Sequence, residues 1–206
     1  MNIAVFGAKG RVGSKVVEIA VKRGHKVWEI DESYQNNPLD RVDGVIDFSV
    51  AAATEQVCEF CLKHNCPLVT GVTGRNEKEA MIEKLKKQVK VCEKVNFSRG
   101  MAAFCKICEQ IATEHKNWDC EIVETHRKGK RDCPSGTAKL LAGRIAAAKG
   151  SFTSVTVHSR RLGSYFGEHE VTFATQGESI TLTHRAENVE IFALGAVTEL
   201  EEITNK

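Results

Sequence analysis

The chain has 206 residues, 27% of them charged, and a formal net charge of +2 at pH 7. That balance, with no long basic block and no aromatic residues interleaved with the basic ones, speaks against a nucleic-acid partner and leaves room for one large domain or two small ones. The amino terminus runs directly into an apolar strand without the regions of a signal peptide, and no apolar run reaches membrane-spanning length, so a soluble, cytoplasmic protein with no membrane partner is expected.

The first hundred residues alternate short apolar runs (3–6, 26–30, 44–48, 67–70 and 89–92) with segments of helical spacing such as Val16, Val17, Ile19 and Ala20, or Val57, Phe60, Cys61 and Leu62. This rhythm predicts an α/β fold, a doubly wound parallel sheet with helices on both faces. Between the first strand and the first helix lie Gly7, Ala8, Lys9, Gly10, Arg11, Val12 and Gly13, a GxxGxxG spacing. Such a turn lets a pyrophosphate reach a helix N-terminus, although glycine-rich turns also occur there without a ligand. Asp31 and Glu32 close the second strand, where an acid accepts hydrogen bonds from an adenosine ribose or simply ends a strand. Their charge would repel a 2′-phosphate and favour NADH, an effect that Lys9 and Arg11 soften. Two more loops, 71–74 and 96–100, fall at the carboxyl ends of later strands; each is a simple turn alone, and with the first they outline a crevice. Residues 76–88 read as a charged helix with an apolar stripe of Met81, Ile82 and Leu85.

After residue 97 the pattern changes. A helix over 100–116 leads to a strand over 119–124, a basic segment, and a helix over 139–149. Three alternating runs follow, 154–159, 170–174 and 179–184, which suit a mixed or antiparallel sheet with one covered face. The tail, 189–203, is helical again and is placed to return to the first domain. Within the basic segment, His126 offers proton exchange near neutrality and Lys130 a fixed positive charge, just ahead of a helix start signalled by Pro134, Ser135 and Thr137. Unpaired N–H groups at that start attract a carboxylate or phosphate. Taken alone, the segment also reads as an ordinary capped helix beside a solvated basic cluster.

The eight cysteines lie mostly within periodic apolar segments and are expected to be reduced. Cys58 with Cys61 and Cys105 with Cys108 have CxxC spacing, with His64 and Cys66 near the first pair, so zinc must be weighed. Inside helices, however, that step places both cysteines on one buried face, and a core role without metal is expected.

Together, residues 7–13, Asp47-Phe48-Ser49, 71–74, Asn96-Phe97-Ser98, 121–138, and Arg161-Leu162-Gly163 through Gly167-Glu168-His169 resemble, in order, the 4-hydroxy-tetrahydrodipicolinate (dihydrodipicolinate) reductase family of lysine and diaminopimelate biosynthesis. The segment 121–138 is the most specific. The resemblance implies a Rossmann-like dinucleotide-binding domain from residues 1–97 and 187–206, with an inserted α+β domain, 98–186, that binds substrate and builds a homotetramer. It also implies NADH- or NADPH-dependent reduction of a small cyclic dicarboxylate. By position, His126 corresponds to the proton donor and Lys130 to the residue that steadies substrate and developing charge, while Ser135, Gly136 and Thr137 form the carboxylate-binding helix start. Gly7, Ala8, Lys9, Gly10, Arg11 and Val12, then Gly71, Val72 and Thr73, then Val95, Asn96 and Phe97 would hold the cofactor, with Asp31 at the ribose.

Three positions depart from the family pattern. Arg127 stands where a second histidine is usual and is expected to bind a carboxylate without exchanging protons. Val189 replaces a usual arginine. The chain also stops soon after residues 194–203, which implies that an edge of the usual first domain is missing. Two alternatives remain in view. A catalytically inactive NAD(H)-binding regulator would be expected to lose the acid or the lysine, and both are present. A different small dehydrogenase would keep the cofactor loops without reason to gather His126, Lys130 and Ser135-Gly136-Thr137.

Overall fold

A computed structural model describes residues 1–32, 34–36, 38–150 and 155–205. The chain divides into two compact units, Met1–Ser98 with the tail from Val189, and Arg99–Asn188.

In the first unit, β1 (Asn2–Phe6), α1 (Gly13–Lys22), β2 (Lys26–Asp31), β3 (Tyr34–Asn36), β4 (Gly44–Asp47), α2 (Thr54–His64), β5 (Leu68–Thr70), α3 (Glu79–Leu85) and β6 (Val91–Glu93) follow in turn. The strands form one sheet in the order β3-β2-β1-β4-β5-β6. All neighbours pair in parallel except β3, which is antiparallel to β2. Side-chain alternation along β1 explains why this sheet needs helices on both sides. Ile3 and Val5 pack with Val16 and Ala20 of α1, whereas Ala4 and Phe6 pack with Val57, Cys58 and Cys61 of α2 and Ile82 and Leu85 of α3. Cys58 and Cys61 are therefore core residues, and the His64 ring stacks on Phe60 with centroids 4.4 Å apart.

The helix expected over 76–88 is shorter. Asn76 takes a left-handed φ of 48° that no α-helix accommodates, so a 3-10 turn over Asn76–Lys78 precedes α3. The three-residue edge strand β3 carries no apolar alternation by which its sequence would mark it as a strand.

The second unit contains α4 (Arg99–Glu114), β7 (Asp119–His126), α5 (Gly136–Lys149), β8 (Thr156–Arg161), β9 (Gly167–Thr175) and β10 (Glu178–Ala186). Its mixed sheet has the order β10-β9-β7-β8, with only β7 and β8 parallel. One face is covered: Ile122, Val171 and Phe173 pack against Met101, Phe104, Cys105 and Cys108 of α4 and Leu141 and Ile145 of α5. On the other side, Thr172 and Thr181 lie within hydrogen-bond distance at 3.1 Å, and His158 pairs with Glu121 at 3.1 Å.

Two boundaries differ from the sequence expectation in ways that matter. β7 continues to His126 and β8 to Arg161, so these two residues become direct partners in the sheet. Of the run expected over 154–159, Ser154 lies outside the described residues. The final helix, α6 (Glu190–Thr204), belongs to the first unit, where Ala193, Ala196, Val197 and Leu200 join the α1 side of its core. Contact is close: a Cβ at Gly195 would lie 1.8 Å from the Phe97 carbonyl oxygen, so only glycine fits there.

Candidate active site

β7 ends on Glu124-Thr125-His126, and strand alternation sends Glu124 and His126 to one face. Glu124 is fully buried. One carboxylate oxygen meets Nδ1 of His126; the other accepts hydrogen bonds from the Arg161 guanidinium at 2.8 Å and from the Ser135 backbone N–H at 3.3 Å. Burial alone would raise the Glu124 carboxyl, but hydrogen bonds led by that from Arg161 overcome it and hold the group below its ordinary value. His126 is 7% exposed. Its burial lowers the imidazole pKa, Glu124 opposes that, and Lys130 and Arg161 add to the lowering.

Arg161 also fastens the loop between β7 and α5, donating to the carbonyls of Asp132 at 2.6 Å and Lys130 at 3.3 Å. At the end of that loop Ser135 caps α5, its hydroxyl accepting from the Ala138 N–H at 3.2 Å. Gly136 and Thr137 therefore occupy the first turn, where the helix dipole is positive. The Lys130 ammonium pairs with Asp132 at 2.8 Å. Arg127 is exposed, with its guanidinium over Gly129, where a Cβ would lie 2.7 Å from Nη1.

Sequence reasoning assigned no role to Arg161, Gly167, His169 or Glu124, although all four lie in segments that carried the family resemblance. His169 pairs with Glu124 across the sheet, and its Nε2 lies 3.4 Å from the Ser135 hydroxyl. Ligand atoms of Glu124, His126 and His169 lie within 4.8 Å of one another, close enough to suggest a metal site. The guanidinium bound to Glu124 and the Lys130 charge disfavour a divalent cation, and the cluster fits a hydrogen-bonded acid better.

In the first unit, the glycine loop has the shape a dinucleotide requires. Gly7 has φ +74°, and a Cβ there would lie 2.7 Å from the Phe48 carbonyl oxygen; at Gly13 it would lie 2.0 Å from the Gly7 oxygen. These glycines close the β1–α1 turn, and α1 starts with no side-chain cap, leaving its positive end suited to a pyrophosphate. Asp31 is tied into the same turn: its carboxylate accepts from the backbone N–H of Lys9 at 2.9 Å and of Glu32 at 2.9 Å. Gly71 packs against Phe48, whose ring stands edge-on to Phe97 with centroids 5.6 Å apart. Behind them Asp47 accepts from Ser49 and from the Thr70 hydroxyl at 3.0 Å, bracing the ends of β4 and β5. Asn96 turns the chain by accepting from the Ser98 N–H at 2.8 Å, and Val95 is exposed.

Residues 28–97 match the family described as "Dihydrodipicolinate reductase, N-terminus", and residues 100–206 match "Dihydrodipicolinate reductase, C-terminus". The 4-hydroxy-tetrahydrodipicolinate reductase of Thermosipho africanus is 35% identical over 207 residues, covering 100% of this chain and 93% of that protein. The protein of the same name from Natronomonas pharaonis is 34% identical, covering 100% of this chain and 96% of its own length. Among solved structures, a dipicolinate-bound dihydrodipicolinate reductase from Paenisporosarcina superposes with a TM-score of 0.77 at 20% identity, covering 100% of this chain and 95% of the other, a likeness of fold. Family matches to both parts of the chain, together with relatives of this identity along its whole length, establish that it belongs to the dihydrodipicolinate reductase family.

Proposed function

We propose that this chain catalyses the NAD(P)H-dependent reduction of 4-hydroxy-tetrahydrodipicolinate to tetrahydrodipicolinate, with His126 as proton donor. The observation that carries the reading is the buried Glu124–His126 pair at the end of β7, set in one compact unit with Lys130 and the Ser135-capped start of α5. A reduced nicotinamide, when bound, supplies the hydride. Loss of the 4-hydroxyl as water gives a conjugated ring imine; hydride addition to one of its carbons leaves an electron-rich enamine, which takes a proton from a nearby acid to complete the reduction. His126 fills that role, and Lys130 compensates the developing negative charge. Ser135, Gly136 and Thr137 take one substrate carboxylate at the positive end of α5, and Arg127 or Lys130 takes the other.

Gly7, Ala8, Lys9, Gly10, Arg11 and Val12 hold the pyrophosphate, Gly71, Val72 and Thr73 with Val95, Asn96 and Phe97 line the rest of the cofactor crevice, and Asp31 accepts from the ribose. The charge on Asp31 favours NADH over NADPH. The second unit's uncovered sheet face, polar at Glu121, His158, Thr172 and Thr181, serves as the contact surface of a homotetramer.

The test is oxidation of NADH and NADPH, in parallel, with substrate made freshly from pyruvate and aspartate semialdehyde. Substrate-dependent oxidation is expected, faster with NADH; its absence with both cofactors overturns the reading.

A further inference from the structure

We propose that Glu124 is the positioning residue that makes His126 a proton donor, fixing its ring with Nδ1–H on the carboxylate and leaving Nε2 to face the substrate. This rests on the reading of His126 as the acid. An ionised carboxylate has no proton to give, so its contact with Nδ1 fixes the hydrogen on that nitrogen whenever the ring is neutral. The other edge of the ring is kept clear by Gly167: a Cβ there would stand 3.0 Å from Nε2.

The carboxylate itself has little freedom. Arg161 at the end of β8 and the Ser135 N–H at the end of the β7–α5 loop hold its second oxygen, and its full burial denies it water as an alternative partner. Glu124 thereby joins the acid and the first turn of α5 through a single side chain, so proton donor and carboxylate site are set by the same group.

Charge reinforces geometry. The groups facing His126 are Glu124 on its own strand, Arg161 on β8, His169 on β9 and Lys130 in the loop; Glu124 alone among these favours the imidazolium. With Glu124 present, the imidazolium's Nε2–H bond breaks as the substrate C–H bond forms. His126 is left neutral with Nδ1–H still on the carboxylate, and solvent restores the proton at Nε2. Burial and two neighbouring cations hold the His126 pKa below its ordinary value even with Glu124 in place, and without Glu124 nothing among these groups opposes them, so the imidazolium becomes scarcer.

The experiment is Glu124→Gln in the full chain. Glutamine keeps the shape and can accept from Arg161 and Ser135, but it carries no charge and can turn an N–H toward Nδ1, selecting the opposite tautomer. A drop in kcat of roughly 10–10⁴-fold is expected, the upper bound being the loss when a carboxylate that orients a catalytic imidazole becomes its amide, with KM and the NADH dissociation constant unchanged. The descending limb of kcat against pH should move to lower pH. In a His126→Gln background the same substitution should have no further effect. An unmoved limb, or an equal loss in both backgrounds, overturns Glu124's role while leaving His126 as the acid. Wild-type turnover in His126→Gln alone would instead remove His126 from the chemistry, and the proposal with it. Should Glu124→Gln fail to fold, imidazole ¹⁵N shifts in the wild-type protein decide: Nδ1–H is expected, and Nε2–H overturns the proposal.

Discussion

The ring of His169 stands edge-on to that of His126, centroids 5.3 Å apart and planes at 80°, with its other contact 3.4 Å away at the Ser135 hydroxyl. Burial, with repulsion from His126, pushes its pKa from 6.5 down to about 3, opposed only by Glu124 and aided by His184 and Lys130. The direction of linkage follows. Above pH 6.5 the imidazole is neutral in both folded and unfolded chains, and stability owes nothing to its titration. As pH falls from 6.5 toward 3, the unfolded chain takes up a proton that the folded chain refuses, so stability is lost across that window, with a slope approaching about 1.4 kcal/mol per pH unit. Urea unfolding between neutral and acid pH should therefore show the wild type losing stability more steeply than His169→Asn. Parallel curves would mean that His169 accepts a proton without unfolding.

For the acid itself, His126→Gln should lower kcat by ~10²–10⁴-fold, the range for loss of a general acid. NADH binding, followed by fluorescence, should be nearly intact, because the glycine loop belongs to the other compact unit. Near-normal turnover would show that water or another side chain donates the proton.

Asp31 has two tasks in the first unit. It is the proposed ribose acceptor, and it also accepts from the Lys9 N–H inside the glycine loop. Asp31→Ala should consequently weaken both cofactors, NADH more than NADPH, since NADPH regains affinity when the negative charge is removed. Competition binding with the two reduced cofactors checks this; equal losses would place the discrimination at another residue, with the exposed Glu32 the next to test.

Much of this architecture was legible because the periodicities are clean. The double burial of β1 shows in its unbroken apolar run, the glycine loop in its spacing, and the start of α5 in Pro134-Ser135. What escaped were relationships rather than residues. Arg161 reads as one more surface cation until β8 is paired with β7 and brings it opposite His126. Glu124 reads as a polar strand end, and nothing local signals that its side chain is buried, because two of its three partners lie 11 and 37 positions away. His169 likewise sits in an alternating strand and becomes distinctive only through burial. Local pattern determines elements; the chemistry of this site depends on which strand edges meet, which is long-range information.

The loop between β7 and α5 supplies the last prediction. A planar dicarboxylate such as pyridine-2,6-dicarboxylate should compete with substrate, one carboxylate at the first turn of α5 and the other at a basic side chain. Lys130 already pairs with Asp132 at 2.8 Å, so inhibitor binding must break that contact. Asp132→Asn should then tighten the inhibitor by about two- to fivefold, the worth of an exposed pair, while Lys130→Ala weakens it by roughly tenfold, as loss of a charged hydrogen bond does. Rising salt should weaken inhibition of the wild type. Arg127→Ala separates two roles: a raised inhibition constant means that this exposed guanidinium has taken a carboxylate contact, and an unmoved constant leaves the task to Lys130. Undiminished inhibition in a Lys130→Ala, Arg127→Ala double variant would show that the dicarboxylate binds elsewhere.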